Sequence, residues 1–435
     1  MKFKSLLLGV RAPLIVAGAV AVATLVPHAK ALIVQGGSYP ATVCPGALSG
    51  GVQRISLPAQ RIATRLVAAK SEKLTLQKSS VIAGGSAPTF VSGNPGSALA
   101  FESVTGTSTA DAACEVGGID QWFIGGSAGV TSQSVLQIIN SGLSDSMLQI
   151  FPYNSKVALA PIAVTVKANS AQNIALSAIA PGDEAVALHL VTESGRVSSF
   201  LLDHRRAGLN DLGASFVTPV AEPATVSYIS GILPSSSKVA STMRFLVPGN
   251  LDANVHLSIF SGEGTFTPVG FDSVTIAHQK VVDLPLPLVA LSGAYGIQIT
   301  SDQPLFASTL TRTSGSGADF AWAGQLNPLS NFSLNLAGAR AQFFFMGKTV
   351  SLHVNWVDAK GKSKSALIVG GSSASWRPVG ALHGVTFKVL SKQPIYGGAI
   401  VANVDGGINY LPLLANQLIS RAQAPVADLR TLTRH

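Results

Sequence analysis

The residues Gly125-Gly126-Ser127-Ala128-Gly129 fit the G-x-S-x-G pattern of a hydrolase nucleophile turn. That chemistry needs a strand, a sharp turn and then a helix behind the serine. The residues after Gly129 are "VTSQSVLQIIN", rich in β-branched side chains that favour another strand. Ser127 therefore reads as part of a glycine-rich bend, and no catalytic residue is assigned. The densest charged spot is "DHRR" at 203–206. Asp203 and His204 could work as an acid–base pair, and Arg205 with Arg206 could hold a carboxylate or phosphate. The structural alternative is an Asp–Arg pair that ends a strand and locks the loop after it. Asp203, Arg205 and Trp122 are kept as candidate ligand contacts. His189, His256 and His353 fall singly on outward strand faces and read as solvated. Paired carboxylates, a phosphate-cradling glycine loop behind a strand and an H-E-x-x-H motif are all missing from the sequence. No metal or cofactor is expected.

The chain has two cysteines, Cys44 in "VCPG" and Cys114 in "AACE". Neither has the neighbours of a metal site, and in an exported chain two cysteines usually pair. Export is the reading of residues 1–31. Lys2, Lys4 and Arg11 precede the apolar run "APLIVAGAVAVATLV", and "PHAKA" then offers an A-x-A cleavage site after Ala31. An uncleaved N-terminal anchor is the alternative. Four of the 30 basic residues lie in this leader and none of the 21 acidic ones, so a mature chain carries 26 basic residues and a charge of +5. That is mild and not concentrated, which excludes the basic face of a nucleic-acid binder. Membrane contact is expected only through an uncleaved leader.

These residues must be positioned by strands. With 435 residues, 12% charged and 43 glycines, the chain has room for about three or four domains of short strands and tight turns. It also repeats. "NVHLSIF" (254–260) matches "SLHVNWV" (351–357), and both alternate apolar with polar residues as half-buried strands do. "QITSDQPLFAST" (298–309) matches "KVLSKQPIYGGA" (388–399) through S-x-Q-P. "SMLQIFPY" (146–153) and "ALHLVTESGRVSSFLLDH" (187–204) stand at the corresponding places of an earlier unit, which has about seven strand candidates. The expectation is an all-β protein: tandem immunoglobulin- or fibronectin-like β-sandwich modules after the signal segment. Modules are placed at 121–222, 226–316 and 320–415, with a less regular β-rich module at 32–120 and a tail at 416–435. Trp122, Tyr228 and Trp322 would each open a module, their rings filling the core beneath a glycine-rich bend.

Taken together, the sequence resembles an uncharacterised family of secreted actinobacterial proteins, a domain of unknown function. The matching residues are Val43 to Gly46, Cys114, Trp122 to Ser127, which read W-F-x-G-G-S and fall one residue short of a W-[YF]-x-x-G-G-[ST] pattern, and Asp203, Arg205, Gly208 and Leu209. The resemblance spans about residues 40–415 and implies export and a β architecture, but no reaction. The function expected is a non-catalytic, exported protein of the cell envelope, a binding or spacing element with its modules in a row. Its partner would be a cell-wall polymer or an envelope protein. One alternative is a wall-glycan binder using Trp122, Trp322, Trp356 or Trp376. The other is a secreted hydrolase using Ser127 or Asp203 and His204.

Overall fold

Alternating apolar and polar residues form a strand wherever one face can be buried, and this chain supplies such runs over most of its length. The computed structural model describes residues 41–57, 61–68, 73–92, 98–104, 108–220, 222–287, 291–315, 317–358, 361–402 and 407–413. The leader at 1–31 and the tail at 416–435 lie outside them. Among the described residues the strands fall into four modules, each of two antiparallel sheets.

The first module holds β1 (Ala41–Cys44), β2 (Val52–Ser56), β3 (Ala63–Leu66), β4 (Thr75–Leu76), β5 (Val81–Ala83), β6 (Thr89–Ser92), β7 (Leu99–Ser103) and β8 (Thr109–Ala113). Its sheets run β1-β6-β3-β4 and β5-β2-β7-β8. The second holds β9 (Asp120–Phe123), β10 (Val135–Asn140), β11 (Ser146–Tyr153), β12 (Ile162–Val166), β13 (Ser170–Ala175), the short helix α1 (Leu176–Ile179), β14 (Ala187–Ser194), β15 (Ser198–Ala207) and β16 (Asn210–Val217). Its sheets run β9-β14-β11-β12 and β13-β10-β15-β16, and β17 (Pro219–Val220) joins the free side of β9.

The third module holds β18 (Ala224–Ile232), β19 (Val239–Leu246), β20 (Ala253–Ser261), β21 (Gly264–Phe266), β22 (Val274–Ile276), β23 (Val281–Pro285), β24 (Tyr295–Thr313) and β25 (Phe320–Gly324). Strand β24 is long enough to serve both sheets. Its first half pairs with β18 and β20, and its second half with β19 and β25. The fourth holds β26 (Phe332–Asn335), β27 (Arg340–Gly347), β28 (Val350–Val357), β29 (Ser363–Gly370), β30 (Ser373–Trp376), β31 (Gly384–Val389), β32 (Ile395–Ala402) and β33 (Ile408–Pro412), in the orders β26-β31-β28-β29 and β30-β27-β32-β33.

One connection rule thus recurs in each module, with β21 and β22, both paired to β20, together taking the fourth place of the third module, β23 the fifth, and the two halves of β24 the sixth and seventh. The first strand pairs with the sixth, the sixth with the third and the third with the fourth. The fifth pairs with the second, the second with the seventh and the seventh with the eighth. The segment before residue 120 obeys this rule as fully as the others. An immunoglobulin sandwich has the same second–fifth and third–sixth pairings, but its last strand lies beside the sixth. Here the first strand takes that place.

The modules are not in a row. Val43, Val67 and Ala110 share a core with Phe200, Leu202 and Phe216 of the second module. Leu310, Phe320 and Trp322 enter the core of the second module from the third. Phe344, Ile400 and Tyr410 of the fourth enter that of the third. Leu99 and Phe101 of the first join Phe332 and Phe343 of the fourth, which closes a ring. At its centre the four closing strands touch in a cycle, β8 to β16 to β25 to β33 and back to β8.

A strand covered on both faces loses its alternation and reads as a continuous apolar or small-residue run. All five residues of β25, "FAWAG", are buried. In the sequence such a run looks like the opening of a module at 320. Trp322 lies instead in the strand that closes the third module, paired with β24.

Candidate functional site

The bend after β9 is built by two glycines. Gly126 has φ +93°, and a Cβ on Gly125 would lie 2.8 Å from Val217 and 3.1 Å from the Trp322 ring. The chain passes this close only without side chains. Ser127 is fully buried behind the bend. Its Oγ donates to Glu184 Oε2 at 3.2 Å and accepts from the Gly129 amide at 3.2 Å. The Glu184 contact is 57 residues distant, so the serine ties two loops together instead of making local bonds alone. The next element is β10, not a helix.

The 203–206 cluster is divided by the pleat of β15. Successive side chains point to opposite faces, so Asp203 and Arg205 share one face and His204 lies on the other. The acid–base pair is therefore not formed. Asp203 is fully buried. Its Oδ2 accepts from Arg205 Nη2 at 2.7 Å and from Trp322 Nε1 at 2.8 Å, and its Oδ1 accepts from Ser134 Oγ at 2.9 Å. Burial alone would raise its pKa. The charge of Arg205, with hydrogen bonds from Arg205, Trp322 and Ser134, outweighs burial and holds it below the usual carboxylate value. The Arg205 guanidinium also lies 5.0 Å above the Phe320 ring. The pair thus holds β25 of the next module rather than the loop beyond β15. On the other face, His204 Nε2 sits 3.6 Å from Asp211.

On its other side Trp322 meets Arg244, a residue that no motif singles out. Arg244 is 2% exposed in the middle of β19, with its guanidinium 4.8 Å above the Trp322 ring. Nη1 donates to the carbonyls of Gly126 at 2.6 Å and Val186 at 3.1 Å. Nε and Nη2 bind Asp283 at 2.7 and 2.8 Å. The signal in the sequence is one charged residue inside the apolar run "TMRFLV". A charge buried there must find partners: Asp283 comes from β23 of its own module, and the two carbonyls from the neighbouring one. Arg205, Asp203, Trp322, Arg244 and Asp283 form a continuous polar fastener between the second and third modules.

Trp122 is 7% exposed. It stacks on His189 with ring centres 3.7 Å apart and packs on Phe306 at 4.5 Å, beneath Leu246 and Val281 of the third module. Its faces are covered, so it presents no platform to a sugar. The three candidate ligand contacts, Asp203, Arg205 and Trp122, are all consumed inside the protein. His189 is not solvated either. Its Nε2 lies 3.0 Å from Asp120, and burial pushes its pKa down against the opposing pull of that carboxylate. His256 is half-buried, with Nδ1 3.1 Å from the Asp272 carbonyl. Trp356 and Trp376 are half-buried, edge to face at 5.0 Å, at the margin of the fourth core.

Cys44 and Cys114 form a buried disulfide that ties β1 to the end of β8, across the two sheets of the first module. Among the described residues no three His, Cys, Asp or Glu side chains gather as a metal site, and no helix is long and apolar enough to cross a membrane.

A model of a family of unknown function, DUF5719, matches residues 85–378. The match begins after the V-C-P-G segment and includes the bend at 122–129 and the cluster at 203–206. No curated protein matches the chain. Among solved structures, a tetra-tandem repeat in the extending region of a large adhesion protein is 12% identical, with a TM-score of 0.12, over 85% of this chain and 97% of that one. A score this low establishes no shared fold.

Proposed function

The chain belongs to DUF5719, a family of unknown function, and on that premise we propose that it is an exported, non-catalytic protein of the cell envelope. In this reading the ring of modules is a rigid binding or spacing element. The observation that carries it is the use made of the reactive-looking side chains. Ser127, Asp203, Arg205 and Arg244 are all buried, and all hold loops or modules together. The buried disulfide suits an oxidising compartment, and the leader supplies a route there. Rigidity suits a scaffold, because shared cores leave no linker for the modules to pivot on.

Fractionation of cells expressing the full chain tests this reading. The expected product lacks residues 1–31, lies outside the cytoplasm, carries the Cys44–Cys114 bond and is not labelled by a fluorophosphonate probe. A reduced, full-length cytoplasmic product would contradict export. Labelling at Ser127 would contradict the non-catalytic role.

One observation favours wall-glycan binding as a second reading. Trp356 and Trp376 are half-exposed neighbours, and such rings stack on sugars. Tryptophan fluorescence should then shift when wall fragments are added. An unchanged spectrum at saturating fragment would remove this reading.

A further inference from the structure

We propose that the chain forms a two-fold dimer in which β29, the outer strand of the fourth module, pairs antiparallel with β29 of a second copy. The inference goes beyond the envelope role and depends neither on export nor on the absence of catalysis. In each module the fourth strand ends its sheet, with a neighbour on one side only among the described residues. The free side of such a strand presents a row of amides and carbonyls that another strand can take up. Proteins guard these edges with short strands, prolines and lysines.

Three modules are guarded in this way. β4 has two residues, and β21 and β22 have three each. β12 has five, set between Pro161 and Lys167. β29 is different. It runs for eight residues without a proline, and β28 is its one strand partner among the described residues. Its single charged residue, Lys364, is turned to Asp358 at 3.1 Å. Lys364 shares a face with the buried Ile368, so the opposite face reads Ser363, Ser365, Leu367 and Val369. Leu367 is 60% exposed and Val369 64%. That face carries no charge to repel an incoming strand.

The order of residues in the strand selects a second copy of itself. With the two-fold axis at Leu367, residues 364–370 of one chain lie beside the same residues of the other, running the opposite way. Leu367 then faces Leu367 of the second copy, and Ser365 faces Val369. The exposed apolar side chains of both copies gather in one patch. Lys364 falls opposite Gly370, so no like charges meet. In the next strand, β28, Ser351, His353 and Asn355 lie opposite Val369, Leu367 and Ser365 and give the patch a polar rim. Antiparallel pairing of a strand with itself uses up the edge in both copies, so assembly stops at two. A contact made mainly by one strand is small, and dissociation in the micromolar range is expected.

Sedimentation velocity of the folded chain between about 1 and 100 μM tests the dimer, and the mass should double across that range. Leu367→Lys sets two like charges on the axis and should weaken association about tenfold or more. Leu367 is exposed, so the monomer should fold as before, and circular dichroism checks this. Cross-linking tests the register. Both cysteines of the chain are used in the Cys44–Cys114 bond, so one introduced thiol can react only with its counterpart. Opposite residues of an antiparallel pair have Cα atoms about 4.5–5.5 Å apart, within reach of a disulfide. Leu367→Cys should therefore give a covalent dimer on mild oxidation. Ser363→Cys should not, because its counterpart lies about 26 Å away at the usual rise of a strand. A parent that stays monomeric at about 100 μM would overturn the proposal, and this is the result expected if another segment of the chain or a different protein covers β29. A dimer unchanged by Leu367→Lys, or one that cross-links through Ser363 and not through Leu367, would overturn it as well.

Discussion

At the scale of single residues, the polar side chains that suggest chemistry in the sequence are structural in the fold. Asp203 shows the difference. Its carboxylate meets Arg205, Trp322 and Ser134 in a fully buried place, where a charge left unpaired is costly. Asp203→Asn should therefore lower stability by about 3–5 kcal/mol, the range for breaking a buried ion pair. Ser127→Ala, which removes one ordinary hydrogen bond and one to a carboxylate, should cost less, about 1–3 kcal/mol. Urea unfolding of both variants checks the order, and a Ser127→Ala loss larger than that of Asp203→Asn would reverse the assignment. The Asp–Arg pairing is legible in "DHRR", because two residues apart on a strand means one face. Its third partner is not. Trp322 is 119 residues away, and strand periodicity says which face a side chain takes, not what covers it. Arg244 escapes notice for the same reason.

At the scale of elements, the half-buried strands are easy to read. "NVHLSIF" and "SLHVNWV" are β20 and β28, each the third strand of its module. The closing strands are not, because burial on both faces erases the alternation. These strands are held by Asp319, which precedes β25 and is 1% exposed. Its Oδ1 accepts from the amides of Ala214 and Phe320, and its Oδ2 from that of Ile408, so one carboxyl joins three modules. A Cβ on Gly213 would come within 2.6 Å of Oδ1, which keeps that position small. Burial raises the Asp319 pKa to about 8, and the backbone hydrogen bonds only partly oppose it. The native state then keeps a proton that the unfolded chain releases above the ordinary value of 3.8. This contribution to stability is full below that value and is lost as the pH climbs to about 8. Asp319→Asn should flatten the fall in stability between about pH 5 and 8, measured by urea unfolding across that interval. A slope identical to that of the parent would show that Asp319 does not titrate there.

At the scale of the molecule, four copies of one connection rule close on themselves. The repeats announce the modules in the sequence, but nothing in them announces the closure. A residue that faces a neighbouring module and one that faces its own core carry the same apolar signature, and Phe101, Trp322 and Phe344 all read as ordinary core. Ring closure is the central claim, because a scaffold role depends on modules that cannot move apart. Scanning calorimetry tests it most directly. Modules with shared cores should melt together, in one transition whose van't Hoff enthalpy equals the calorimetric one, roughly 240 kcal/mol for the about 350 described residues near 60 °C. Several broad transitions, each with a van't Hoff enthalpy of about 60 kcal/mol, the value for one module of roughly 87 residues, would contradict it.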